Sequence, residues 1–180
     1  IKIQKILFES NVSQACRRSL RVLEDDLPIR ALSKYSLINK EISSFEDFIF
    51  LCREGRWQGY LSSNILKNIP VQNWDERFLC DFSRPIHELP SIGEKESLCM
   101  SIIKIEEAKV SNLLVLSVAG FPIGTLSRAD IGMIVLKKIG LNLPDKLIKI
   151  ARQENIYPIG LDLYSIARSM DYSSLNDDQI

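Results

Sequence analysis

The stretch that most constrains the fold runs from residue 113 to residue 140 and reads LLVLSVAGFPIGTLSRADIGMIVLKKIG. An uninterrupted apolar run at 113–118 meets a turn at Ala119-Gly120, and a second apolar run follows at 121–126. Short continuous apolar runs are typical of strands that are covered on both faces. The first part of this stretch therefore predicts a strand, a tight turn and a second strand.

A capped helix is predicted directly after the second strand. Ser127 and Asp130 have the spacing of a helix-capping pair, with Asp in place of the usual Glu. Gly140 stands where such a helix would end. The apolar residues that share one face of this helix are Ile131, Ile134, Val135 and Ile139.

A second copy of this pattern lies 65 residues earlier in the chain, after an apolar run at 48–51. The positions that match Gly120, Gly124 and Ser127 are Gly55, Gly59 and Ser62. The ungapped match to Asp130 is Ile65, and Asn64 takes that place only if one residue is deleted. We therefore predict a duplicated strand–turn–strand–helix unit whose first copy is degenerate.

The rest of the chain completes and flanks these two copies. An apolar face over 94–108 predicts an amphipathic helix, which supplies the crossover between parallel strands, and a strand is expected around 89–92. A charged helical pattern over 16–24 predicts a helix before the first copy. The predicted organisation is a lead-in helix (1–26), a first repeat (27–77), a second repeat (78–140) and a helical C-terminal extension (141–180).

Composition excludes several classes of function. Lysine plus arginine and aspartate plus glutamate are both 23, and this balance gives no footprint for nucleic acid. The four cysteines form no C-x-x-C pair, and the single histidine cannot complete a zinc cluster, so we predict no metal site and reduced cysteines in a cytoplasmic protein. The chain begins with Ile rather than Met, which fits a soluble piece of a longer protein.

The sequence also carries no recognisable catalytic motif. His87-Glu88 is followed by Pro90 and by no second histidine, so it is not the helical H-E-x-x-H of zinc proteases. No nucleophile elbow, phosphate-binding P-loop or G-x-G-x-x-G is present. We therefore predict that this chain has no catalytic residues of its own and that any enzyme activity belongs to an attached portion.

Residues 124–130, GTLSRAD, with the strand before them and the helix after them, resemble the end of a CBS repeat, the cystathionine β-synthase-type regulatory domain. The resemblance implies an α/β fold of two β-α-β-β-α repeats that binds an adenine nucleotide (AMP, ADP or ATP). It implies that Asp130 holds ribose hydroxyls and that Thr125, Ser127 and Arg128 lie near phosphate. In the first repeat it leaves only a degenerate cleft, at Ser62 and Asn64. The alternative is that Ser127 and Asp130 only cap a helix and bind no ligand.

The same resemblance implies a regulatory module, expected to be a homodimer, that modulates an attached protein. The alternative is a ligand-free module for dimerisation or protein interaction. Residues 19–27 (SLRVLEDDL) and 155–161 (NIYPIGL) are also similar to segments beside the CBS pair of bacterial site-2-type membrane zinc metalloproteases (peptidase M50-like). That fainter resemblance implies a membrane-embedded catalytic portion in the same polypeptide.

Overall fold

The computed structural model describes residues 2–36 and 48–177. The chain divides into two compact units, one of residues 19–89 and one that combines residues 1–18 with residues 90–180. Residues 78–89, which the sequence analysis assigns to the second repeat, belong to the unit of residues 19–89. The crossover of the first repeat falls partly on residues 37–47 and lies outside the described residues.

Thirteen α-helices and β-strands are formed within the described residues. The helices are α1 (Lys2–Glu9), α2 (Val12–Ala15), α3 (Ser33–Ser36), α4 (Leu98–Ala108), α5 (Arg128–Lys138), α6 (Asp145–Glu154) and α7 (Leu163–Asp177). The strands are β1 (Val22–Glu24), β2 (Phe48–Arg53), β3 (Arg56–Ser62), β4 (Ser91–Gly93), β5 (Asn112–Leu116) and β6 (Pro122–Ser127).

Each unit contains one three-stranded sheet with the same topology, β1-β2-β3 in one unit and β4-β5-β6 in the other. The first two strands of each sheet are parallel, and the last two are antiparallel neighbours. The α4 helix is the crossover between the parallel strands β4 and β5, as the amphipathic pattern predicts. The mixed α/β class and the duplicated strand–turn–strand pattern are therefore confirmed.

The helix predicted over residues 16–24 is not formed, and that prediction was wrong. Residues 22–24 are strand β1, in which Val22 pairs with Phe50 and Glu24 pairs with Cys52. Leu23 packs against the core of the same unit. Sheet pairing with a buried strand outweighs the helical preference of this charged segment. The helices of the lead-in are α1 and α2 instead.

The buried core of the larger unit draws on both ends of the chain. Leu7 and Val12 come from α1 and α2, and Leu163 and Ala167 come from α7; all four are fully buried. They pack in one cluster with the helices and strands of the second repeat. The C-terminal helices that the sequence predicts are confirmed as α6 and α7. Together with the lead-in they complete the second repeat's core rather than hang from it.

Candidate functional site

The candidate site lies where β6 ends and α5 begins. Ser127 is the residue before the helix, and its Oγ accepts the backbone N–H of Asp130 at 3.3 Å. Asp130 returns the contact, because its Oδ2 accepts both the backbone N–H and the hydroxyl of Ser127 at 2.9 Å. The predicted capping pair is therefore confirmed as a reciprocal capping box.

The Asp130 carboxylate is buried, and two arginines neutralise it. Its side chain is 2% exposed. Arg152 of α6 places Nη1 2.7 Å from Asp130 Oδ1, and Nε of Arg17 lies 3.7 Å from the same oxygen. A buried carboxylate needs such partners because an unpaired charge is costly away from water. Both Asp130 oxygens are thus engaged within this unit.

Arg17 reaches Asp130 because its backbone is fixed along the edge of β6. Arg17 N–H donates to the Thr125 carbonyl, and Thr125 N–H donates to the Arg17 carbonyl, both at 2.9 Å. Gly124 permits this approach, since a Cβ at that position would lie 2.3 Å from the Arg17 carbonyl oxygen. Thr125 is therefore buried beneath Arg17, with its backbone already paired.

Arg128 belongs to a different cluster of side chains. Its Nε donates to Glu106 Oε1 of α4 at 2.6 Å, and its Nη1 donates to the Val110 carbonyl at 3.2 Å. Tyr157 donates its hydroxyl to the same Glu106 oxygen at 3.3 Å and lies beneath the Arg128 guanidinium. Burial, followed by the nearby Glu106 charge, raises the pKa of Tyr157. Arg128 thus links α5 to α4 and to the segment that precedes α7.

The corresponding corner of the first repeat carries no carboxylate. Ser62 again ends the strand, and its Oγ accepts the backbone N–H of Asn64 at 3.3 Å. The next residues form a short 3₁₀ helix, Ser63–Asn68, rather than an α-helix. At the edge of β3, Tyr60 and Arg84 exchange backbone hydrogen bonds, as Thr125 and Arg17 do in the other unit. Gly59 is the counterpart of Gly124.

Of the predicted site residues, the structure brings Ser127 and Asp130 into direct contact and places Thr125 on the adjoining strand. Arg128 instead pairs with Glu106. Sequence reasoning missed Arg17 and Arg152, the two cations at the carboxylate. Arg17 had a signal in the chain, because Arg84 stands in the matching place before β4; nothing in the sequence around Arg152 marks it.

The cysteines contribute no cluster to this site. All four, Cys16, Cys52, Cys80 and Cys99, are free thiols. Burial is the largest cause of the raised pKa of Cys16, which lies near Asp130, and a thiol with a raised pKa is a poor nucleophile. Within residues 2–36 and 48–177, no group of three or more His, Cys, Asp or Glu side chains is arranged to hold a metal ion. No helix in that part of the chain has the length and apolarity needed to cross a membrane.

Comparison with known proteins identifies the fold. No family model and no curated protein matches the sequence. Among solved structures, the CBS domain of the bacterial CNNM/CorC family Mg²⁺ transporter in complex with ATP is 14% identical, with a TM-score of 0.54, covering 74% of this chain and 92% of its own. The same domain described without ATP is 14% identical, with a TM-score of 0.52 and coverages of 79% and 82%.

The cystathionine beta-synthase pair domain of SO5017 from Shewanella oneidensis MR-1 is also similar, at 16% identity and a TM-score of 0.51. The alignment covers 73% of this chain and 72% of that one. The chain therefore has the fold of a CBS-domain pair, as the GTLSRAD segment implies. At these identities the likeness concerns the fold alone.

Proposed function

We propose that this chain is a regulatory CBS-pair module that binds an adenine nucleotide (AMP, ADP or ATP) at the junction of β6 and α5. The observation that carries the proposal is the buried Asp130 carboxylate at a helix N-terminus, with Arg17 and Arg152 against it. A carboxylate accepts hydrogen bonds from ribose hydroxyls. The helix N-terminus and the two guanidinium groups favour the negative charge of phosphates.

One site per chain is proposed, since the corner at Ser62 and Asn64 has no carboxylate to receive a ribose. Asp130 is already paired, so a nucleotide has to displace at least one arginine from the carboxylate. Two arrangements of the module then differ in ligand affinity, and the ligand shifts the population toward the one that it binds better. A shift of this kind is how such a module would bias an attached protein.

A second candidate function is a ligand-free module for homodimerisation or protein interaction. It is favoured by the same corner, because Ser127, Arg17 and Arg152 already satisfy Asp130 and the cap needs no ligand. This candidate predicts a homodimer whose stability and assembly do not respond to nucleotides. Sedimentation velocity with and without nucleotide distinguishes it from the first.

The attached portion is proposed from the flanks of the pair. The similarity of residues 19–27 and 155–161 to site-2-type metalloproteases supports a membrane-embedded protease in the same polypeptide. The module would then act from the cytoplasmic side, with catalysis carried by that other portion and with no nucleic-acid partner.

Thermal unfolding with AMP, ADP, ATP or S-adenosylmethionine at millimolar concentration tests the nucleotide proposal. A ligand at 100 times its dissociation constant stabilises a fold by about 2.7 kcal/mol. For a chain of this size, that stabilisation raises the melting temperature by about 5–10 °C. We expect one adenine nucleotide to give such a shift, and Asp130→Asn, which keeps the size of the side chain, to abolish it.

The matched control is Ser62→Ala, which alters the corresponding corner of the first repeat and should leave the ligand-induced shift intact. If no compound raises the melting temperature of the unmodified chain, the nucleotide proposal fails and the interaction module stands. A shift that persists in Asp130→Asn would move the site away from this corner.

A further inference from the structure

Helix α6 buries little surface against its unit. Ala151 is its one buried residue, while Leu147 and Ile150 remain 40% and 36% exposed. The backbone on either side has left-handed positions at Gly140 (φ 89°) and Asn155 (φ 55°), where the chain changes direction. Segments with few buried apolar contacts are those that open locally at low free energy.

Arg152 provides the charged connection between α6 and α5. Its Nη1 lies 2.7 Å from Asp130 Oδ1, and its Nη2 donates to the sulfur of Met133 at 3.6 Å. Asp130 and Met133 both belong to α5. Breaking the pair with Asp130 therefore removes the main polar contact by which α6 is held.

The segment after α6 is anchored independently. Pro158 is buried against α5, where its ring contacts Gly132, and Leu163 is fully buried in the core. Further along α7, the Cys99 thiol donates to the Ala167 carbonyl at 3.5 Å. Helix α6 can therefore leave α5 while α7 stays in place.

We propose that α6 (Asp145–Glu154) is an inhibitory latch for the nucleotide site, closed by the contact of Arg152 with Asp130. This inference rests on the nucleotide site proposed above. Arg152 holds the carboxylate oxygen that a ribose hydroxyl needs, so latch closure and ligand binding compete for one atom. Ligand binding therefore releases α6, and opening of α6 strengthens ligand binding.

The dissociation constant of ATP, measured by isothermal titration calorimetry, tests the latch. Arg152→Ala removes the competing guanidinium, and we expect it to bind ATP about tenfold more tightly than the unmodified chain. Lys149→Ala is the matched control, because Lys149 is exposed on the same helix and its removal changes the net charge equally. Its affinity for ATP should match that of the unmodified chain.

Arg152→Lys keeps a cation for Asp130, should bind ATP with intermediate affinity, and serves if Arg152→Ala does not fold. Equal or weaker binding by both Arg152 variants would overturn the latch and make Arg152 a phosphate ligand, with the nucleotide site retained. Absence of ATP binding by the unmodified chain and by every variant would overturn the nucleotide site itself.

Hydrogen exchange gives a readout that affinity does not. ATP at saturation should speed amide exchange across residues 145–154 of the unmodified chain, and Arg152→Ala should show fast exchange there without ligand. Exchange in α6 that stays slow while ATP is bound would overturn the latch. Exchange in α7 serves as the internal reference and should not change.

Discussion

The two repeats share a strand–turn–strand framework and differ in the helix at its end. After Ser127 the chain forms an α-helix of 11 residues, whereas after Ser62 it forms a 3₁₀ helix of 6 residues. In the second repeat Asp130 closes the capping box, and in the first repeat Ile65 stands there and packs against the core of its unit. The comparison shows that one substitution separates a serine that only caps a helix from a corner that concentrates charge.

The difference extends to the arginines beside each sheet. Arg84 and Arg17 make the same backbone exchange with their strands, yet Arg84 directs its guanidinium to Glu88, 2.9 Å away and partly exposed. Arg17 is instead within 3.7 Å of the buried Asp130. Because exposed ion pairs contribute little to stability, the first repeat has a structural edge, and the second has a candidate site.

The largest expected effect tests whether the two edges are equivalent. Gly124→Ala places a Cβ 2.3 Å from the Arg17 carbonyl oxygen, and Gly59→Ala places one 2.6 Å from the Arg84 carbonyl oxygen. Backbone cannot yield as a side chain does, so each variant should lose about 3 kcal/mol of unfolding free energy in urea. A loss below about 1 kcal/mol in either variant would show that its edge is not tightly paired.

Gly120→Ala is the control for these two variants. Gly120 has a φ of 85° and nothing within 4 Å of an added Cβ, so its substitution adds backbone strain without a clash. It should cost about 1–2 kcal/mol, less than either edge variant.

The middle effect compares the two capping serines. Ser127→Ala removes the acceptor for the Asp130 N–H and the hydroxyl that Asp130 Oδ2 accepts, so it should lower the unfolding free energy by about 1.5 kcal/mol. Ser62→Ala removes one longer contact on a short 3₁₀ helix and should cost about 0.5 kcal/mol. Urea denaturation of both variants measures the difference. Equal losses would mean that the Asp130 carboxylate adds nothing to the cap.

The strands, the turn and the cap of the second repeat were predictable because each rests on local chemistry. The apolar run of β5, the turn at Gly120 and the Ser127–Asp130 spacing are all read within a few residues. Strand β1 was not, because Val22–Glu24 is held by pairing with a strand that begins 24 residues later. Local pattern alone favours a helix in that segment.

The candidate site was predictable to the same extent. Ser127 and Asp130 are neighbours in the chain and could be identified, and Thr125 lies on the adjoining strand. Arg17 and Arg152 come from segments more than 100 and about 20 residues away, respectively, and meet at Asp130 only through tertiary packing. Arg128 was assigned to the site from its place in the motif, yet Glu106, on a preceding helix, holds its guanidinium.

The smallest expected effect compares two tyrosines that donate to glutamates, Tyr60 to Glu88 and Tyr157 to Glu106. Burial is the first cause of the raised pKa of each, and the shift is the larger for Tyr157. Since the folded chain keeps the phenol proton beyond the ordinary pKa of about 10, this contribution is complete below that pH and is lost above it. Between pH 8 and pH 10.5 Tyr157 should account for a loss of about 0.8 kcal/mol.

Urea unfolding at those two pH values, for the unmodified chain, Tyr157→Phe and Tyr60→Phe, measures this loss. The quantity compared is the change in unfolding free energy with pH, so the hydrogen bond that each variant also loses cancels within it. Tyr157→Phe should show the shallowest fall, because it lacks the group whose ionisation burial and Glu106 oppose most strongly. If the three chains lose stability in parallel, Tyr157 exchanges its proton as an ordinary phenol, and the cluster with Glu106 and Arg128 does not hold the segment before α7 as tightly as its contacts indicate.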